Sequence, residues 1–331
     1  LFAAGGPLPE ADAPLPATPE ATIAEGTRVV EALAAAFPND PDALEVLARC
    51  HLLRGSTAEA VATWKKCLAL NPRYAYACAG LGAAALRRGD HREAAQWFRQ
   101  AVEFAPRAFG FREDLADALI NAGQVDEAIA VLTELIGLSP RSARAFDLLG
   151  MAYAHAGRHA EAKQSYLQAA RLDPHHAGIR LGLANALARL GEAEEARKCM
   201  DEFRRLRDEE RKRRQTDLRQ YNDLAAVRAE FAQLYTSAAQ VYHAHGKAEE
   251  AETLWRRSAA MDPTAIACRQ ALAWRSRQSG KLAETVRLLE ELSALEPANP
   301  SYDLEIARLR LDLNQIAEAE ATLQRLCRRS P

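Results

Sequence analysis

Aromatic residues make up only 6% of the 331-residue sequence, and its 15 prolines and 17 glycines mostly fall at regular places. No apolar run approaches the roughly 20 residues that a bilayer-spanning helix needs. The cysteines at 50, 67, 78, 199, 268 and 327 form no CxxC pair and no disulfide-dense spacing, so they read as small buried hydrophobes. The net charge of −2 gives no whole-chain attraction to nucleic acid or to an acidic membrane, and no nucleic-acid partner is expected. No GxSxG, HExxH or P-loop spacing occurs. These scarcities leave no expected metal, no cofactor and no enzyme.

What is present is alanine, leucine and charge in a strict rhythm. Prolines 72, 106, 140 and 174 are 34 residues apart, and so are prolines 263, 297 and 331. Glycines 55, 89, 123, 157 and 191 keep that period, as do Gly246 and Gly280, with Asn314 in the next slot. Gly and Asn accept the left-handed backbone of a tight interhelical turn. Self-similarity at such a period marks a helical repeat array.

With each proline set at position 32, units start at 41, 75, 109, 143, 177, 232, 266 and 300. Position 8 reads Ala48, Gly82, Ala116, Gly150, Ala184, Ala239, Ala273 and Ala307. Position 20 is alanine in every unit except Thr285, and position 24 is bulky: Trp64, Phe98, Leu132, Tyr166, Met200, Trp255, Leu289 and Leu323. Small residues at 8 and 20 let two helices approach closely. The large residue at 24 fills the space beside them, each burial contributing about 1.5–3 kcal/mol. Proline at 32 ends the second helix.

These residues match the tetratricopeptide repeat pattern, and the sequence resembles that family over roughly 41–331. The resemblance implies an all-α, right-handed α-solenoid of tetratricopeptide-type helix hairpins, with the first helix of each pair lining a concave groove. It implies a protein- or peptide-binding scaffold and names no ligand.

The pattern has departures. Residues 1–19, rich in Ala, Pro and Gly, have the composition of a disordered tail. Residues 20–38 read as an N-terminal capping helix over the first repeat. Repeat block one covers 41–203 and block two 232–331. Between them, 204–231 form a charged helical insertion. Asp208 stands where the fifth unit's proline belongs, so that helix should run on. Residues 204–214, RRLRDEERKRR, carry seven basic and three acidic side chains, the mark of a solvated helix with i,i+4 pairs. A docking patch for an acidic partner or nucleic acid and coiled-coil pairing are the alternatives. Leu218, Tyr221, Leu224, Ala225, Val227 and Phe231 then recur at helical spacing, with Arg228 at the edge of that stripe. A long helical hairpin joining the two blocks is the expectation.

Several chemical patterns dissolve on inspection. Residues 80–85, GLGAAA, match GxGxxA, but no strand precedes them and Gly82 is the packing residue of position 8. Glutamate fills position 19 in all eight units, from Glu59 and Glu93 through Glu127, Glu161, Glu195, Glu250 and Glu284 to Glu318. That site is the first turn of the second helix, where negative charge suits the helix dipole. Ser56-Thr57-Ala58-Glu59 is a capping-box pattern. His155 and His159 straddle Gly157, His175 and His176 share a turn, and His243 and His245 flank a helix end, so none has zinc-like partners.

The resemblance places positions 2, 5, 9, 12 and 13 of each first helix in the groove. Carried over, these are Glu45, Arg49, Tyr76, Arg87, Glu113, Asp117, Asn121, Arg144, Asp147, Met151, His155, Asn185 and Arg189, then Gln240, His243, Gln270, Trp274 and Arg277. The matching positions lack the Lys/Asn/Arg clamp of chaperone-tail binders. Position 6 (Val46, Gly80, Asp114, Leu148, Gly182) lacks the asparagine ladder of sugar-transferase repeats. Glu113, Asp114, Asp117 and Asp147 make the middle acidic, which fits a basic or polar segment of a partner protein. Trp274 is either a contact surface or packing for its neighbour.

The chain opens on Leu1 and not methionine, which reads as a processed product or a piece of something longer. It stops at position 32 of the eighth unit, which leaves Leu323 and Leu326 short of a covering helix. The alternative functions are a recruiting arm of a larger enzyme and an oligomerisation module through the insertion or the terminal repeat. Unpaired cysteines point to a reducing compartment and the proline-rich tail to export, so localisation stays open.

Overall fold

In the computed structural model, residues 8–220 and 223–329 are described, side chains at 213–220, 223, 328 and 329 excepted, and all their regular structure is helical. The helices are α1 (Pro19–Ala36), α2 (Pro41–Leu53), α3 (Thr57–Leu70), α4 (Ala75–Arg87), α5 (His91–Phe104), α6 (Phe109–Asn121), α7 (Val125–Leu138), α8 (Ala143–His155) and α9 (His159–Leu172). They continue as α10 (Ala177–Arg189), α11 (Ala193–Gln220), α12 (Asp223–Ala244), α13 (Ala248–Met261), α14 (Ile266–Gln278), α15 (Leu282–Leu295), α16 (Pro300–Asp312) and α17 (Ile316–Arg329).

The local chemistry of the repeat sets these boundaries. Every periodic glycine from Gly55 to Gly280 takes φ between 70° and 82°, and Asn314 takes 59°, the left-handed turn that closes a hairpin. The Asp40 carboxylate accepts from Asp42 N at 2.7 Å and Ala43 N at 3.0 Å, and Ser142 Oγ accepts from Ala145 N at 3.0 Å. Both satisfy amides that a helix start leaves open. The capping box at 56–59 does not form, because the Ser56 side chain makes no cap bond. Asp90, on a similarly bent backbone, does reach Glu93 N at 3.0 Å, since its carboxylate is longer than a hydroxyl. The position-19 glutamates stand in first turns as expected.

Position 20 is closed to solvent at Ala60, Ala94, Ala128, Ala162, Ala251, Thr285 and Ala319. Position 24 is buried at Trp64, Phe98, Leu132, Tyr166, Trp255 and Leu289, but Leu323 is 40% exposed. Hairpins α4–α5, α6–α7, α8–α9, α10–α11, α12–α13, α14–α15 and α16–α17 pack internally, and successive hairpins pack on one another within each unit.

The chain divides into two compact units whose boundaries depart from the expected blocks. Unit II is continuous, 55–220. Unit I is discontinuous and joins the chain up to Arg54 with the chain from 221 onward. In unit I, α1 packs on α2, as a cap would, and also on α12. Phe231 lies in the gap above Gly26, where a Cβ would fall 2.0 Å from its ring. The α1–α2 turn meets the α12–α13 turn: the Phe37 ring stacks on His245 at 4.1 Å, and His245 Nε2 lies 2.7 Å from Asp40 Oδ2.

The tail expectation for 1–19 fails over its described part. Leu8 and Leu15 pack against the unit I core. Arg257 donates to the carbonyls of Ala13 and Pro14, and Arg228 Nη2 donates to Pro16 O at 2.5 Å. Two arginines thus satisfy backbone that composition alone leaves to water. Residues 1–7 lie outside the described residues.

Helix α11 runs through Asp208 to Gln220, so the missing proline has the expected local effect. Arg204, Arg205 and Arg211 pair with Asp201, Glu209 and Asp208 three or four residues away, largely exposed. Leu206 in that run is nonetheless buried. Of the apolar stripe that follows, Phe231 is buried, Val227 packs on the unit I core and Ala225 is exposed. The side chain of Leu218 and the whole of Tyr221 lie outside what the structure describes.

Candidate functional site

The groove expectation divides between the two units. In unit II the first helices α4, α6, α8 and α10 carry its central residues, with α6 packed on α8 and α8 on α10. Tyr76 on α4 is 56% exposed, its ring edge-on to Phe111 of α6 at 5.5 Å. Next along is the acidic group. Glu113 Oε1 accepts from Ser142 Oγ at 2.6 Å. Arg144 reaches across from α8 to Asp114 at 2.8 Å and lies 3.6 Å from Glu113. One guanidinium therefore serves two carboxylates.

Asp117 and Asp147 have no Arg or Lys ion-pair partner among the described residues. Asp117 is held by Asn121, whose amide donates to its carboxylate at 2.9 Å and to its backbone carbonyl at 2.8 Å. Asp147 is half-buried, and burial pushes its carboxyl above the ordinary range, opposed by the nearby His176. Burial likewise raises Asp114, with Arg144 pulling the other way and Glu113 and Asp117 adding to the rise. Met151 is half-buried, while Arg87, His155, Asn185 and Arg189 are exposed.

Glu45 and Arg49 belong to unit I and do not present an open surface. Arg49 lies 3.7 Å from Glu45 and donates to Ser237 Oγ of α12 at 3.2 Å. Burial raises the Glu45 carboxyl, with Arg49 opposing it. This pair ties α2 to α12, a contact invisible to a positional rule built on neighbouring repeats.

The rest of the unit I row is open. Gln240 and Gln270 are exposed, and Gln270 donates to Tyr302 Oη at 2.8 Å, which donates to Glu296 at 2.7 Å. Trp274 is 50% exposed, its ring edge-on to His243 at 5.2 Å; His243 rests at 5.6 Å from buried Trp255. Trp274 is thus both a packing neighbour of His243 and an exposed ring. Arg277 pairs with Glu305. The same positional rule applied to the eighth unit gives Leu304 and Leu311, which the sequence reading passed over. Both are exposed.

Among the described residues, no group of three His, Cys, Asp or Glu side chains is placed to hold a metal ion. No described helix is long and apolar enough to cross a membrane. None of the six cysteines forms a disulfide among the described residues.

Paired helices of 13 or 14 residues, a left-handed residue at each turn and a small–small–large contact pattern define a helical-repeat interaction protein. Residues 10–233 match the family model described as the cilia and flagella-associated protein 70 C-terminal domain, and residues 232–257 and 276–330 match tetratricopeptide repeat models. The chain belongs to this tetratricopeptide-repeat family, whose fold class serves protein–protein interaction. No curated protein matches it. Among solved structures it is similar to MamA 41-end from Desulfovibrio magneticus RS-1 at 23% identity, covering 51% of this chain and 97% of that one, with a TM-score of 0.48. YrrB, described as a TPR protein with an unusual peptide-binding site, matches at 21% identity, with 52% and 89% coverage and a TM-score of 0.46. Pseudomonas aeruginosa pilF matches at 20% identity, with 70% and 96% coverage and a TM-score of 0.45.

Proposed function

We propose that the chain is a non-catalytic scaffold that holds a basic or polar segment of a partner protein along the first-helix face of unit II. The observation that carries this reading is the pair Asp117 and Asp147, on adjacent first helices and without an Arg or Lys ion-pair partner among the described residues. Ionised carboxylates left in that state are complementary to lysine or arginine side chains brought from outside. The aromatic edge formed by Tyr76 and Phe111 supplies an apolar contact at one end of the row.

The test is fluorescence polarisation of a labelled lysine- and arginine-rich peptide titrated with the full chain. Asp117→Ala combined with Asp147→Ala is expected to weaken binding at least about tenfold, or 1.4 kcal/mol. Wild-type affinity should also fall as salt is raised, because the carboxylates are near the surface. Unchanged affinity in the double variant overturns the reading.

Asp147 also links binding to stability. Its folded value is raised, so the folded state binds its proton more tightly than the unfolded state does. Its favourable contribution is therefore complete below the ordinary carboxylate range and is lost as pH rises through its own raised value. Asp147→Asn should flatten that part of the pH–stability curve and leave neutral-pH stability equal or higher, while weakening the basic peptide. Urea titrations across acidic and neutral pH measure it; a less stable Asp147→Asn protein at neutral pH contradicts it.

A further inference from the structure

The tripeptide Pro-Leu-Pro occurs twice in the chain, at 7–9 and at 14–16, and nowhere else. A turn separates the two copies, where Ala13 N donates to Glu10 O at 3.2 Å. Both leucines, Leu8 and Leu15, pack on the unit I core. Residues 8–18 form no helix or strand, and none of them is fully buried. Their attachment is that of a bound peptide. Buried Arg257, on the second helix α13, donates to the carbonyls of Ala13 and Pro14. Arg228, on the stretch of α12 ahead of its repeat unit, donates to that of Pro16. Proline has no N–H, and an extended proline-rich segment makes no internal hydrogen bonds, so its carbonyls stay free to accept. Two guanidinium groups take three of them, and the leucine between prolines supplies the apolar anchor. Neither arginine stands at a first-helix groove position. One donor is left over: Arg228 Nε is closed to solvent and has no hydrogen-bond partner among the described residues.

We propose that the surface around Arg228 and Arg257 is a peptide-binding site for an extended segment of a partner protein with leucine between prolines, and that residues 8–18 occupy it in cis as a displaceable strap. The entropy of ordering these residues opposes the strap's few contacts, and the prolines limit that cost because they are extended before binding. Tethering gives the strap an effective concentration on the order of millimolar, which holds it in place until a competitor arrives. A second copy of the chain is a poor competitor. Exchanging straps recreates the same contacts and adds the entropic cost of association. A partner segment that presents an acceptor to Arg228 Nε gains a bond that the strap does not make, to a donor otherwise closed off without one. The proposal requires nothing of Asp117 or Asp147.

The probe is a labelled peptide with the sequence of residues 8–18, and its control carries Leu15→Ser. Each is titrated by fluorescence polarisation against the full chain, both as wild type and as Leu8→Ser with Leu15→Ser, which weakens the strap and leaves the arginines in place. Far-UV circular dichroism confirms that each chain is folded, and Leu15→Ala replaces the double variant if that unfolds. The probe is expected to bind the opened chain saturably and at least about tenfold more tightly than the wild type, because competition in cis is weakened. The control peptide should bind the opened chain at least about tenfold more weakly than the probe. Adding Arg228→Ala to the opened chain should weaken the probe about tenfold, as for a lost hydrogen bond to a charged group. Asp117→Ala with Asp147→Ala should leave the probe unaffected, so this reading and that for unit II fail separately. Absence of saturable binding to the opened chain, equal affinity of opened and wild-type chains, equal binding of the control peptide, or indifference to Arg228→Ala overturns the proposal. So does self-association of the wild type that Leu8→Ser with Leu15→Ser abolishes, because the strap then serves a second copy.

Discussion

Replacing Arg257 with alanine will lower the stability of unit I by about 3–5 kcal/mol, the usual cost of breaking a buried ion pair by removing one partner. Arg257 is 1% exposed and Glu25 14%. The guanidinium donates to the Glu25 carboxylate through Nε at 3.1 Å and through Nη2 at 2.8 Å and 3.0 Å. Tyr235 Oη donates to the same carboxylate at 3.0 Å, and burial first, then Glu25, drives the phenol's pKa well up. Without Arg257, Glu25 is left charged at the junction of α1, α12 and α13, and the carbonyls of Ala13 and Pro14 lose their donor. Urea unfolding of the full chain measures the loss, and hydrogen exchange should show α1 amides opening first. Replacing Glu25 and Arg257 together by leucine and methionine should cost much less, since no uncompensated charge remains. A single variant within about 0.5 kcal/mol of the wild type, the range of an ordinary surface change, refutes this account of the junction.

The Arg257 junction also marks where sequence reading stops. Hairpins, turns and the small–small–large contacts are written within 34 residues, so the fold was legible from Gly55, Ala60, Trp64 and Pro72 outward. Helix α1 was legible as an element over 20–38, closed by Phe37 and Pro38, though its start at Pro19 behind the Thr18 cap was not. Its seat on α12 was not, because Glu25 and Arg257 are 232 residues apart in the chain and no local pattern announces the contact. The same holds for residues 8–18. Their composition fits a tail, yet Arg228 and Arg257 bind their carbonyls and Leu8 and Leu15 pack on the core. On the candidate site, the positional rule named Asp117, Asp147 and Trp274, and of these the ring is exposed and the two carboxylates are half-buried. It misread Glu45 and Arg49, whose partner Ser237 lies in a distant repeat.

The second large effect concerns a pairing between consecutive repeats. Trp64 is buried against α4, and a Cβ on Gly80 would sit 2.2 Å from its ring. Tyr166 meets Gly182 in the same register at 2.5 Å. Trp64 and Tyr166 thus each press on the glycine at position 6 of the next unit, whereas Phe98 is followed there by Asp114, Leu132 by Leu148 and Trp255 by Ala271. Gly80→Ala gains about 1 kcal/mol of helix propensity yet should destabilise by about 1–3 kcal/mol through overpacking. Trp64→Ala should cost about 3–5 kcal/mol through the cavity it leaves. The two changes are coupled: in a Trp64→Leu background the alanine at 80 has room, and its penalty should vanish or reverse. Double-mutant cycles on unfolding free energies would then give an interaction term of about 0.5–3 kcal/mol, and strict additivity would contradict the pairing. Gly137 is the control. It lies inside α7 with open space where a Cβ would go, so Gly137→Ala should stabilise by about 0.5–1 kcal/mol. Opposite signs for two helical glycines would then follow from one fact, the ring above Gly80 and the solvent above Gly137.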